Sequence, residues 1–169
     1  RSAAKPQFSH FVLNTNYRFS PAESYEVSIN SGGQYSFDDL LNSEQTSITG
    51  FNKLSGFTSG SISGDEAWYV RGQINRNFSI SNQISVSPYV YGAAGVAYTL
   101  TPTAVENRST AAKSIGLGMQ VRGYDKYFFD KSISGRVEYS KNWGTGKLED
   151  LSDVRLNKQH LLVSLAMSF

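Results

Sequence analysis

Few side chains in this 169-residue chain are of the kinds that do covalent chemistry. There is no cysteine, which removes zinc–thiolate sites, disulfide frameworks and cysteine nucleophiles. His10 and His160 are the only histidines, and neither has carboxylates clustered beside it, so no metal site is expected. His160 follows Asp150 and Asp153, and with some serine these can be drawn as a triad. Nothing in the spacing supports it, and Glu149, Asp150 and Asp153 read as a solvated loop. No glycine-rich phosphate loop opens a helix, because no stretch has a helical period. No catalytic residue and no cofactor is expected.

The charges that attract notice are Arg71, Arg122, Arg136 and Glu138, each set among polar or small residues at every second position. On one face of a sheet they would line a polar conduit and hold an unfolded chain weakly. A structural charge network inside the wall is an equal alternative. Gly95, Gly116 and Gly118 would let a loop approach such a wall, although strand curvature explains them slightly better. Net charge is +2 and the charges are scattered, so no nucleic-acid partner is indicated.

The elements that must position these residues are strands. Apolar and polar residues alternate with a period near two. Phe11, Leu13, Tyr17 and Phe19 oppose Asn14, Asn16 and Arg18. Tyr25, Val27 and Ile29 oppose Glu26, Ser28 and Asn30. Trp68, Val70 and Ile74 oppose Tyr69, Arg71 and Gln73. Ile84, Val86 and Val90 oppose Ser85, Ser87, Tyr89 and Tyr91. Ile115, Leu117, Met119 and Val121 oppose Gly116, Gly118, Gln120 and Arg122. Ile133, Val137 and Tyr139 oppose Ser134, Arg136 and Glu138. Last come Leu161, Val163, Leu165, Met167 and Phe169 against His160, Ser164, Ala166 and Ser168. Seven such strands of about 10 to 14 residues suit a tilted membrane crossing better than a globular sheet.

Short turns are predicted near 20–22, 79–82 and 125–131, and long polar loops at 35–65, 99–110 and 144–158. Membrane barrels alternate short and long connections in this way, with the short turns on the periplasmic side. No run of about 18 apolar residues exists, so a membrane helix is excluded while a membrane strand is not. Aromatic residues near strand ends (Trp68, Tyr98, Tyr124, Tyr127, Phe128, Phe129, Trp143) suit an interfacial girdle. The expected fold is therefore all-β, an antiparallel transmembrane β-barrel segment over 1–169. A soluble barrel with its apolar face turned inward is the alternative. Bacterial single-chain barrels have even strand numbers. Seven strands and no initiating methionine therefore lead us to expect a piece of a larger barrel.

The order of short motifs then becomes specific. Leu40-Leu41-Asn42-Ser43-Glu44-Gln45 precedes Ile48-Thr49-Gly50, then Leu54-Ser55-Gly56-Phe57, Ser63-Gly64-Asp65 and Trp68-Tyr69-Val70-Arg71. Pro88-Tyr89-Val90-Tyr91 leads to Gly95, and a small-residue strand runs from Thr110 to Gly118. This series resembles the C-terminal barrel half of the two-partner-secretion transporters, the haemolysin secretion/activation proteins. The resemblance implies a sixteen-strand barrel preceded by two periplasmic polypeptide-transport-associated domains. It implies a bacterial outer-membrane location. It also implies export of an unfolded secreted partner protein without nucleotide hydrolysis.

The same resemblance implies that loop 35–65 folds into the barrel. Its tip Leu54, Ser55, Gly56 and Phe57 would face a wall motif, Tyr91, Ala93 and Gly95. Where the family's tip carries Arg this chain has Ser55, and where the wall carries Asp it has Ala93. Both halves of one ion pair are absent together, as expected when an unpaired charge in a confined pore costs several kcal/mol. Phe169 would be the signal read by the barrel assembly machinery, with outer-membrane lipid as the other partner. The rival functions are a non-transporting outer-membrane barrel, either adhesin or structural, and a soluble barrel that binds an apolar ligand.

Overall fold

The computed structural model describes residues 7–81, 83–103, 106–125, 131–148, 153–155 and 158–168. Period-two sequence becomes one antiparallel sheet built on seven long strands. These are β1 (His10–Ala22), β2 (Tyr25–Ser36), β5 (Glu66–Arg76), β7 (Ile84–Tyr98), β8 (Asn107–Asp125), β9 (Lys131–Leu148) and β11 (Lys158–Ser168). Two short strands, β6 (Phe78–Ser79) and β10 (Asp153–Arg155), extend the same sheet. Strands β3 (Thr46–Ser47) and β4 (Ser63–Gly64) form a separate two-residue ladder inside the long loop. Each long strand pairs with the next in sequence, an up-and-down order that needs no crossover. No helix is present among the described residues.

The two faces differ as the alternation requires. Leu13, Tyr17, Ile29, Val70, Ile74, Val90, Leu117, Val137, Leu161, Val163 and Leu165 all stand exposed on one face, Leu165 at 72%. A patch of this extent is not tolerated in water but is the lipid-facing band of a membrane barrel. The opposite face carries Ser28, Gln34, Arg71, Gln73, Ser114, Glu138, Ser140 and Asn142, all buried. A soluble barrel would present the reverse. The fold is an antiparallel transmembrane β-barrel segment, with β1 at one edge of the sheet and β10 and β11 beside β9 at the other.

Several boundaries move from their expected places. β1 runs on to Ala22 through a register shift between Phe19 and Ala22, so the first turn is Glu23-Ser24. β9 continues to Leu148 and pairs with β8 back to Asn107. Residues 107–110 and 144–148 of the expected loops at 99–110 and 144–158 are thus strand, paired across β8 and β9. Small polar residues such as Thr145 and Gly146 read as loop, but the backbone ladder needs no apolar side chain. Asn77 breaks the ladder between β5 and β6, where the register would place it and Arg76 opposite Ser87 and Pro88. Proline has no N–H to donate there. The turn expected at 125–131 lies largely outside the described residues, as do Asp150, Phe169, Tyr127, Phe128 and Phe129.

Candidate functional site

Residues 37–65 connect β2 to β5 and lie against the concave, polar face of the sheet. The loop supplies its own apolar underside: Leu40, Ile48 and Leu54 are completely buried, and Phe57 and Ile62 nearly so. Ile48, Leu54, Phe57 and Ile62 pack with wall residues Ala67, Tyr89, Tyr91, Ala93, Ala97 and Ala112. The only sizeable apolar core of the described residues is therefore the one between loop and wall.

The base of the loop is fastened by Asp65, which is wholly buried. Its carboxylate accepts from the Leu40 N–H at 3.1 Å, the Gln45 side chain at 3.0 Å and the Leu100 N–H at 2.9 Å. Gln34 on β2 donates to the carbonyls of Glu44 and Asp65 and accepts from Thr46 at 2.7 Å. The tip is fastened differently. The Ser55 hydroxyl accepts from Arg71 Nη1 at 2.6 Å and donates to Glu138 Oε1 at 2.5 Å. Arg71 Nη2 lies 3.1 Å from Glu138 Oε2, and both side chains are buried, at 0% and 1% exposure. Tyr89 donates to the same oxygen at 2.7 Å, and Arg71 stacks on the Tyr91 ring at 3.6 Å. Arg71 Nη1 also donates to the Lys53 carbonyl.

Register explains how β5 and β9 meet across two intervening strands. Arg71 is level with Ala93 on β7, Ser114 on β8 and Asn142 on β9. Glu138 is level with Gly118 and Tyr89, four register positions further along. The floor between them is built of small residues, so a long guanidinium can lie over it. A Cβ on Gly116 would come within 2.5 Å of the Tyr91 ring, and one on Gly118 within 2.5 Å of Tyr89. These glycines let the two tyrosines lie flat, which is a different purpose from the strand curvature that their sequence suggests. Gly95 does sit under the loop, where a Cβ would meet Ile48 and Leu54 at 3.1 and 3.2 Å. At the tip itself, Asn142 Nδ2 donates to the Gly56 carbonyl at 2.7 Å, and Asn142 Oδ1 accepts from Ser114. A Cβ on Gly56 would fall 1.8 Å from Asn142 Oδ1.

The sequence-derived candidates thus divide. Leu54, Ser55, Gly56 and Phe57 come together with Tyr91, Ala93, Gly95, Arg71 and Glu138. Arg136 stands beside Glu138 on β9, with Phe51 of the loop over its guanidinium at 4.0 Å. Arg122 is exposed at the short-turn end of β8, where it donates to Gln120 at 3.2 Å. Sequence reasoning missed Asn142, met Asp65 only as the end of the Ser63-Gly64-Asp65 motif, and allowed a charge network in the wall without pairing Arg71 with Glu138. The signal for the pair was present: opposite charges, both on the inward parity. Nothing in the order of residues said that the floor between them was low enough to cross. His10 and His160 join no group of metal-binding side chains among the described residues.

The family model described as haemolysin secretion/activation protein ShlB/FhaC/HecB matches residues 1–125. None of the curated proteins and none of the solved structures matches the chain. The matched span includes the loop, Arg71 and Ser114; Glu138 and Asn142 lie beyond it.

Proposed function

Because the chain belongs to the haemolysin secretion/activation protein family, whose members are two-partner-secretion transporters, we propose that it forms part of the wall of an outer-membrane pore that exports an unfolded partner protein. Export in this reading uses no nucleotide hydrolysis, and loop 37–65 occupies the conduit between transport events. The observation that supports it is the seating of the loop. Its tip is held by hydrogen bonds to Arg71, Glu138 and Asn142 and by packing of Leu54 and Phe57 on the wall, all non-covalent contacts that can be released and remade. Ser55 brings no charge of its own. Arg71 and Glu138 remain paired in the wall when the tip leaves, so release strands no buried charge.

The lining would hold an unfolded polypeptide weakly through Arg71, Arg122, Arg136 and Glu138. The convex apolar band would meet outer-membrane lipid. The test is deletion of the gene in its own bacterium, followed by comparison of the culture medium. Loss of one secreted polypeptide, restored by the full-length gene, is the expected result. An unchanged medium, with the protein assembled in the outer membrane, would overturn the transport reading and leave a non-transporting barrel.

A further inference from the structure

Arg136 is a buried concave-face arginine that the loop covers without hydrogen-bonding. Its side chain is 9% exposed. Its Nε and Nη1 are buried and have no hydrogen-bond partner among the described residues. Two aromatic rings flank the guanidinium instead: Phe51 at 4.0 Å and Tyr89 at 5.6 Å. Buried donors without acceptors are rare and call for an occupant, because their lost hydration is not replaced. Glu138, two residues away, attracts the Arg136 charge but makes no hydrogen bond to it. One of its oxygens takes Ser55, and the other takes Arg71 and Tyr89.

The surroundings say what charge the occupant carries. Among the described side chains of the long strands, Arg18, Arg71, Arg122 and Arg136 have the concave-face parity, against Glu26 and Glu138. Glu138 is committed to Arg71, which leaves Glu26 alone against three arginines. The face therefore has unmatched positive charge. That excess is concentrated at Arg122 and Arg136, which lie on adjacent strands, Arg136 being level with Gln120. A groove of mixed character, lined by Ser81, Ile84, Ser85, Arg122, Ile133 and Ser134, opens at the short-turn end of the sheet.

Position along β9 gives the order of contacts. From the short-turn end, the tip meets Arg136 through Phe51, then Glu138 through Ser55, then Asn142 through Gly56. A chain entering from the short-turn side reaches Arg122 first and Arg136 next, before it reaches Ser55. Phe51 is held there by a tight turn: Lys53 N–H donates to the Gly50 carbonyl at 3.0 Å, and Asn52 has a φ of 63°. A carboxylate on Arg136 would supply charge-assisted hydrogen bonds that the Phe51 ring cannot.

We propose that Arg136, with Arg122, forms a carboxylate-binding subsite beneath the loop tip, and that its ligand is an acidic stretch of an extended polypeptide. The polypeptide as cargo rests on the export reading; binding of a carboxylate does not. The experiment is titration calorimetry of the full-length protein in detergent. The probes are hexaglutamate, a glycine–serine peptide of equal length, and inorganic phosphate.

Hexaglutamate is expected to bind and the neutral peptide not to. Arg136→Gln should weaken hexaglutamate binding by about tenfold or more, tenfold being about 1.4 kcal/mol. Phe51→Ala, which uncovers the guanidinium, should strengthen it, and this variant keeps the idea testable if Arg136→Gln fails to assemble. Equal binding of acidic and neutral peptides, or no effect of either substitution, overturns the subsite. Phosphate binding as tightly as hexaglutamate overturns the polypeptide as its ligand. Because the readout is binding, a protein that exports nothing but binds hexaglutamate through Arg136 would refute export and leave the subsite standing.

Discussion

Ser55 closes the second edge of an ion pair: Arg71 Nη2 meets Glu138 Oε2 directly, and the Ser55 hydroxyl links Arg71 Nη1 to Glu138 Oε1. A buried ion pair gains little over apolar packing, but removing one partner leaves a charge stranded. Arg71→Ala should therefore destabilise the full-length protein by about 3–5 kcal/mol, read as urea unfolding in detergent. Replacing both partners, Arg71→Met with Glu138→Leu, should cost clearly less; an equal cost would refute the stranded-charge account. Gly56→Ala probes the other contact. Its Cβ would collide with Asn142, so the tip should leave the wall and loop 37–65 should become cleavable by protease. Adding Asn142→Ala should restore part of the protection, and no restoration would place the collision elsewhere. These residues were half legible in the sequence. Parity put Arg71 and Glu138 on one face, and motif order marked Ser55 and Gly56. Asn142 is one of many asparagines, and only the register identifies it.

The loop behaves as an element with two separate fastenings. At its base, Asp65 accepts three donors drawn from the loop start, the loop body and the segment after β7. Asp65→Ala would orphan the buried Leu40 N–H at about 1–3 kcal/mol and release the half-buried Gln45 and Leu100 donors. Amide exchange across 38–64 should quicken while amides of β8 and β9 keep their protection; equal loss in both would make Asp65 a residue of the whole fold. Lys53 adds a dependence on pH. Burial pushes its ammonium below the ordinary 10.5, so the seated loop binds that proton less well than the free loop. Seating should tighten as pH rises through the lowered value, with the gain complete above 10.5 and lost again as pH falls. Lys53→Met should flatten that profile of protease protection. The loop's existence was plain from its polar length and glycines. Its docking followed from the resemblance to a family, since no period in residues 37–65 says which way a loop folds.

At the scale of the whole molecule, strand number and facing were the most legible features, because apolar residues at every second position admit one reading in lipid. The extra length of β8 and β9 was not, since a ladder beyond the membrane leaves no hydrophobic trace. Phe169 belongs to this scale too. Phe169→Ser should lower the amount of protein assembled in the outer membrane, measured by heat-modifiable migration on gels; normal assembly would remove its role as an assembly signal. The flat tyrosines have a consequence for clearance. Tyr89 and Tyr91 spread sideways over Gly118 and Gly116 instead of standing up from the sheet. The wall is accordingly low across β7 and β8, and the headroom so created is where the loop fits. A methyl group on either glycine would tilt a ring upright and narrow the space for loop and passenger alike, while leaving every charged residue in the sequence unchanged.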